Sequence, residues 1–141
     1  MANRFFNQFR LALDKQLCEI NAVVSFGSTG APTVVTSNYQ SKGIVSVTRS
    51  STGKYVFKFG TNASLLDTYN QLVGLHVTWD ESSNSGTAPL ANSYYIFSNA
   101  IGTAGTATVT VQLTNSTGTA TDPASTEIGR FCFSFRNSNA P

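Results

Sequence analysis

Ile44-Val45-Ser46-Val47-Thr48-Arg49-Ser50-Ser51-Thr52-Gly53-Lys54-Tyr55-Val56-Phe57-Lys58-Phe59 reads as two strands joined by a turn. In the second arm Tyr55, Phe57 and Phe59 fall on one side, and Lys54, Val56 and Lys58 on the other. That period of two is the mark of a strand with one buried face. Ser50 to Gly53 makes the connection, and Gly53 suits the left-handed position such a turn requires.

The same period extends along most of the chain. Residues 22–26 (AVVSF) read as a strand that stops at the turn cluster Gly27-Ser28-Thr29-Gly30-Ala31-Pro32. Residues 75–79 (LHVTW) and 93–97 (SYYIF) read as two more. From Thr106 to Thr114, Ala107, Val109, Val111 and Leu113 share one face, with Thr on most of the other. In residues 128–135, Phe131, Phe133 and Phe135 share a face. Leu65, Leu66, Tyr69, Leu72 and Val73 fit either a short helical turn or an apolar loop. Seven or so short strands between Gly-, Ser- and Thr-rich loops predict an antiparallel β-sandwich. A jelly-roll-like order is the expected one. An immunoglobulin-like sandwich also fits the pattern, but its Cys-Trp-Cys spacing is missing.

The N-terminus follows a different rule. Phe6, Phe9, Leu13, Leu17 and Ile20 succeed one another at steps of three or four, and Phe5 and Cys18 widen the stripe. This spacing predicts an amphipathic helix capped by Asn3, with residues 1–21 as a helical arm and 22–141 as the β-sandwich domain. A helix of this length needs something to pack on: its own domain, a sister copy or another protein. Arg4, Arg10, Asp14 and Lys15 interrupt every apolar stretch there, so no signal peptide is read.

Composition narrows the function. Charged residues make up 11% of the 141, against roughly 25% in ordinary soluble proteins. Ser, Thr and Asn fill about a third of the chain and replace the missing charge. The net charge of +2 is spread without a basic run, which argues against nucleic acid and charged membrane surfaces as partners. Cys18 and Cys132 stand far apart beside apolar neighbours, and neither has a histidine near it in sequence. Two buried thiols, or one disulfide from the N-terminus to the last strand, both fit.

Chemistry is sparse. His76 is the single histidine, on a strand between Leu75 and Val77, where a hydrogen-bonded strand residue is the plain reading and a general base the alternative. Asp80 and Glu81 are adjacent and so face opposite ways in a strand, which suits no paired-carboxylate mechanism. Asp67 and Asp122 lie in separate loops, and no phosphate loop, nucleophile elbow or metal-ligand spacing occurs. Asn62-Ala-Ser64 and Asn115-Ser-Thr117 match a glycosylation acceptor, as chance allows in so Asn- and Thr-rich a chain. The expectation is a non-enzyme with no cofactor, no metal and no catalytic residue. What is left is a neutral, hydroxyl-rich surface with edge strands able to extend a neighbouring sheet.

Several stretches taken together carry a resemblance. They are Asn3-Arg4-Phe5-Phe6-Asn7-Gln8-Phe9, Gly30-Ala31-Pro32-Thr33, Ser41-Lys42-Gly43-Ile44-Val45-Ser46-Val47-Thr48-Arg49 and Gly53-Lys54-Tyr55. Tyr69-Asn70-Gln71-Leu72-Val73-Gly74, Ala107 to Leu113, Thr121-Asp122-Pro123-Ala124-Ser125 and Asn137-Ser138 complete the set. The chain thus resembles tailed-bacteriophage virion proteins of the capsid decoration (cement) type. The resemblance implies a protein that binds the outer surface of the head and stabilises the lattice of the major capsid protein. It implies self-association, a homotrimer in preference to a dimer, and assembly in the host cytoplasm followed by residence on the virion surface. Phe5, Phe6, Phe9, Leu13 and Leu17 are then the expected contact with capsid or sister subunits. The alternative is a receptor- or glycan-binding module of a phage tail or fibre, with Tyr94, Tyr95 and Trp79 stacking on sugar rings.

Overall fold

A computed structural model describes residues 17–37, 41, 43–59, 69–80, 91–100 and 107–137. Among the described residues there are eight strands: β1 (Leu17–Phe26), β2 (Pro32–Val34), β3 (Ile44–Ser51), β4 (Lys54–Phe59), β5 (Tyr69–Asp80), β6 (Ser93–Ala100), β7 (Thr108–Thr114) and β8 (Ile128–Asn137). They form two four-stranded antiparallel sheets, ordered β2-β1-β8-β5 and β3-β4-β7-β6. The expected sandwich is therefore present.

The sheets face each other through interleaved aromatic rings. Phe57 of β4 lies 4.7 Å from Phe131 and 4.9 Å from Phe133, ring centre to ring centre. Phe59 lies 5.1 Å from both Phe133 and Phe135, and Phe26 meets Tyr55 edge-on at 5.1 Å. All six phenylalanines and Tyr55 are buried, together with Val24, Val109, Val111 and Leu113. Such pairs add about 0.5–1.5 kcal/mol each beyond the area they bury. The alternation read in β4, β7 and β8 is what sends these rings to a single layer.

The first strand corrects the N-terminal reading. Residues 17–21 are not the last turn of a helix; they are the first half of β1, and Leu17 to Ser25 pair residue by residue with β8 from Arg136 to Ile128. Leu17 and Ile20 satisfy a helical step, but Ile20, Ala22, Val24 and Phe26 also alternate, and all four are buried. A nine-residue ladder in the middle of a sheet outweighs a helical turn with nothing to pack on. The boundary placed between residues 21 and 22 thus falls inside β1. Phe5, Phe6, Phe9 and Leu13 lie outside the described residues.

Two more strands exceed the sequence reading. β2 is a three-residue edge strand directly after the Gly27–Pro32 turns. β5 begins at Tyr69, so Leu72 and Val73, placed in a helical turn or a loop from sequence, are strand residues. Register shifts between Tyr69 and Gln71 and between Leu72 and Gly74 break the alternation there and hide the strand from a period-two reading.

Candidate functional site

Two surfaces gather candidate functional side chains. The first is the outer face of the β2-β1-β8-β5 sheet. Inward residues of β1 and β8 fill the core, so alternation sends Asn21, Cys132 and Arg130 outward. The register then sets Cys132 directly opposite Asn21 on β1 and directly opposite His76 on β5. Thr78 stands opposite Arg130 in the adjoining row. These side chains, with Val23 and the flanks of Ala22 and Phe131, line an open depression of about 320 Å³.

Each group in the depression has a defined state. His76 is exposed, and its Nε2 shares a hydrogen bond with Thr78 Oγ1 at 3.2 Å. Arg130 Nη2 donates to Asp80 Oδ2 at 3.3 Å, so that charge is offset beside the depression. Cys132 is a free thiol of intermediate exposure. Burial pushes its pKa up, and the Glu19 carboxylate adds to the rise, which is the opposite of what a thiolate nucleophile requires.

The cysteine readings are corrected in part. Cys132 is neither disulfide-bonded nor buried, because it stands on the outer face of β8 rather than the inner face occupied by Phe131 and Phe133. Cys18 pairs by backbone with Phe135, three positions along β8 from Cys132. A histidine does stand beside a cysteine: His76, 56 positions from Cys132, becomes its cross-strand partner through the β5–β8 register. No local spacing encodes that meeting. Among the described residues, no group of three or more His, Cys, Asp or Glu side chains converges.

The second surface is β6, which has no strand beyond it among the described residues. Every residue of β6 except Tyr94 is exposed, including Tyr95 (52%), Ile96 (36%) and Phe97 (53%). Tyr95 stands opposite Gln112 and, beyond it, Lys54 on the outer face. Lys54 Nζ sits 3.6 Å from the Phe97 ring centre, a cation–π contact on a half-open platform. Of the three aromatics expected to stack on sugars, only Tyr95 is exposed. Trp79 and Tyr94 pack against the core, and the Tyr94 hydroxyl donates to Leu75 O at 3.4 Å. Phe97 was not singled out from sequence.

The edges of the two sheets differ in how they resist pairing. β2 is three residues long and contains Pro32, β3 carries Arg49 and two register shifts, and β5 carries Asp80 and two register shifts. β6 runs eight residues, Ser-Tyr-Tyr-Ile-Phe-Ser-Asn-Ala, without a charge or a proline, and carries a single register shift, between Ile96 and Ser98. Long neutral apolar edges are the ones that accept another strand.

The remaining polar residues build structure. Asp122 accepts from Arg49 Nε (2.9 Å), Arg49 Nη2 (2.7 Å), Gly53 N (2.8 Å) and shares the Tyr55 hydroxyl (3.0 Å), which also lies 3.0 Å from Gly30 O. Asn115, in the second glycosylation-like triplet, has its Oδ1 engaged by Thr117 N, Thr117 Oγ1 and Thr119 N, closing a turn. Asn62, Asp67 and Glu81 lie outside the described residues. No helix among the described residues is long and apolar enough to cross a membrane. Comparisons with protein families, curated proteins and solved structures return no match.

Proposed function

We propose that this chain is a non-enzymatic structural protein of a tailed-phage virion, of the capsid decoration type. It binds the outer surface of the head as a homo-oligomer, a trimer in preference to a dimer, and ties neighbouring major capsid protein subunits together. The observation that carries this reading is the β6 edge: eight uncharged residues, with Tyr95, Ile96 and Phe97 exposed, on a rigid aromatic-cored sandwich. Backbone pairing along such an edge gives affinity, and the flanking rings give register. The apolar stripe Phe5, Phe6, Phe9 and Leu13 is the second candidate contact, on sequence grounds.

Strand order supports a jelly-roll-like topology for the sandwich. The first and last strands are neighbours inside one sheet, and the chain changes sheet between β2 and β3, β4 and β5, β5 and β6, and β7 and β8.

The test is co-sedimentation of the full-length protein with empty heads. Wild type is expected to pellet with the heads, and the Ile96→Lys variant to stay in the supernatant with an unchanged Tm. Equal binding by both overturns the role of β6, and failure of wild type to bind heads overturns the decoration reading.

A second reading is favoured by the Tyr95–Phe97–Lys54 platform, whose exposed rings and ammonium group suit an acidic glycan. It makes the chain a receptor-binding module of a tail or fibre. Copy number in purified virions separates the two: hundreds per particle for decoration, a handful for a tail.

A further inference from the structure

We propose that Cys132 and His76 form a binding site for a soft or borderline transition-metal ion such as Zn²⁺ or Cu⁺. The inference is independent of the virion reading and rests on the outer face of the β2-β1-β8-β5 sheet. Directly opposed residues of an antiparallel pair have Cβ atoms about 4.5–5.5 Å apart. A tetrahedral zinc holding one thiolate and one imidazole needs its sulfur and nitrogen about 3.5 Å apart, from Zn–S of about 2.3 Å and Zn–N of about 2.0 Å. Rotation about the Cys132 χ1, with the His76 ring held in place, is the movement that brings the sulfur toward the imidazole.

Three further features fit a cation. The pair opens into a depression of about 320 Å³, roomy enough for the ion and the waters that fill its remaining positions. The Thr78 hydroxyl holds His76 Nε2 at 3.2 Å, the kind of second contact that fixes a ligating ring and leaves Nδ1 as the free donor. The positive charge of Arg130 is offset by Asp80. On binding, the Cys132 Sγ–H bond breaks, the proton passes to solvent, and a metal–sulfur bond takes its place with no change of oxidation state. Nitrogen and sulfur donors together select such ions over Mg²⁺ and Ca²⁺.

The experiment titrates Co²⁺ into reduced, untagged, full-length protein and follows the thiolate-to-cobalt charge-transfer band in the near ultraviolet. The band is expected to saturate at one equivalent, to vanish in Cys132→Ser, to need at least about tenfold more metal in His76→Ala, and to persist in Cys18→Ser. Zn²⁺ is expected to displace Co²⁺ and to raise the Tm of wild type but not of Cys132→Ser. Because both side chains are on the surface, far-ultraviolet circular dichroism of the apo variants is expected to match wild type. No band in wild type, a band that survives Cys132→Ser, or an unchanged affinity in His76→Ala overturns the site.

Discussion

Asp122 holds both donors of the Arg49 guanidinium fork, at 2.9 and 2.7 Å, across 73 positions of sequence. The same carboxylate caps the β3–β4 turn at Gly53 N and receives the buried Tyr55 hydroxyl, so one side chain clamps the long loop before β8 onto the hairpin. Asp122→Ala removes every one of these acceptors and leaves Gly53 N without its partner. Urea unfolding is expected to show a loss of about 2 kcal/mol or more. Arg49→Ala is expected to lose less, since its side chain faces water.

The same carboxylate gives stability a pH dependence. Burial alone raises the Asp122 pKa, but hydrogen bonds from Arg49, Gly53 and Tyr55, with the Arg49 charge, outweigh it and hold the group below its ordinary value. A carboxyl with a depressed folded pKa contributes stability fully above its unfolded value of about 3.9 and loses it as pH falls through the folded value. Unfolding midpoints of wild type are therefore expected to drop below about pH 4, and Asp122→Asn is expected to lack that part of the drop.

Tyr55 sets the alkaline limit. Burial first, then the hydrogen bond to Asp122, pushes its phenol well above the ordinary tyrosine range. A raised folded pKa means that stability is fully present below the unfolded value of about 10 and is lost as pH rises beyond it. Tyr55→Phe is expected to flatten this alkaline decline in Tm while lowering stability at neutral pH by about 1 kcal/mol.

Two glycines with positive φ separate strain from collision. Gly53 has φ of +67°, and an added Cβ meets Leu113 O at 2.5 Å and Thr121 N at 2.9 Å, both backbone atoms. Gly118 has φ of +79° and open space around it. Gly118→Ala is expected to cost about 1 kcal/mol from conformation alone, and Gly53→Ala clearly more, read by chemical denaturation.

Two phenylalanines separate core from surface. Phe133 is fully buried between Phe57 and Phe59, so Phe133→Ala is expected to cost about 3–5 kcal/mol. Phe97 is 53% exposed, so Phe97→Ala is expected to leave Tm nearly unchanged and to weaken self-association in sedimentation velocity.

The sandwich was legible because β4, β7 and β8 alternate so that rings and aliphatics share one face, and that alternation is set by the sheet itself. Residues 17–21 were misread because Leu17 and Ile20 stand a helical step apart, while Ile20 also falls in the alternating row with Ala22, Val24 and Phe26, and only the presence of β8 as a partner decides between the two periods. Bulges hid the rest. Val45, Val73 and Phe97 are all exposed large apolar residues, and each falls at a register shift between its neighbours. A bulge redirects a side chain without changing its identity, so a strand pattern assigns such residues to the core. The His76–Cys132 meeting was hidden more deeply still: it depends on which strands are neighbours and in what register, and neither strand alone carries that information.

The pairing of β1 with β8 has a consequence for synthesis. β1 leaves the ribosome early, yet the strand that covers its longer edge lies more than a hundred positions downstream. At about 5–20 residues per second, several seconds pass in which only the three-residue β2 is available to it. Closing so long a loop is slow, and until then the apolar run from Ile20 to Phe26 stands open to neighbouring nascent chains. The nascent sandwich is thus expected to depend on chaperone occupancy of that one segment, and its yield to fall with crowding of polysomes well before the finished fold shows any weakness.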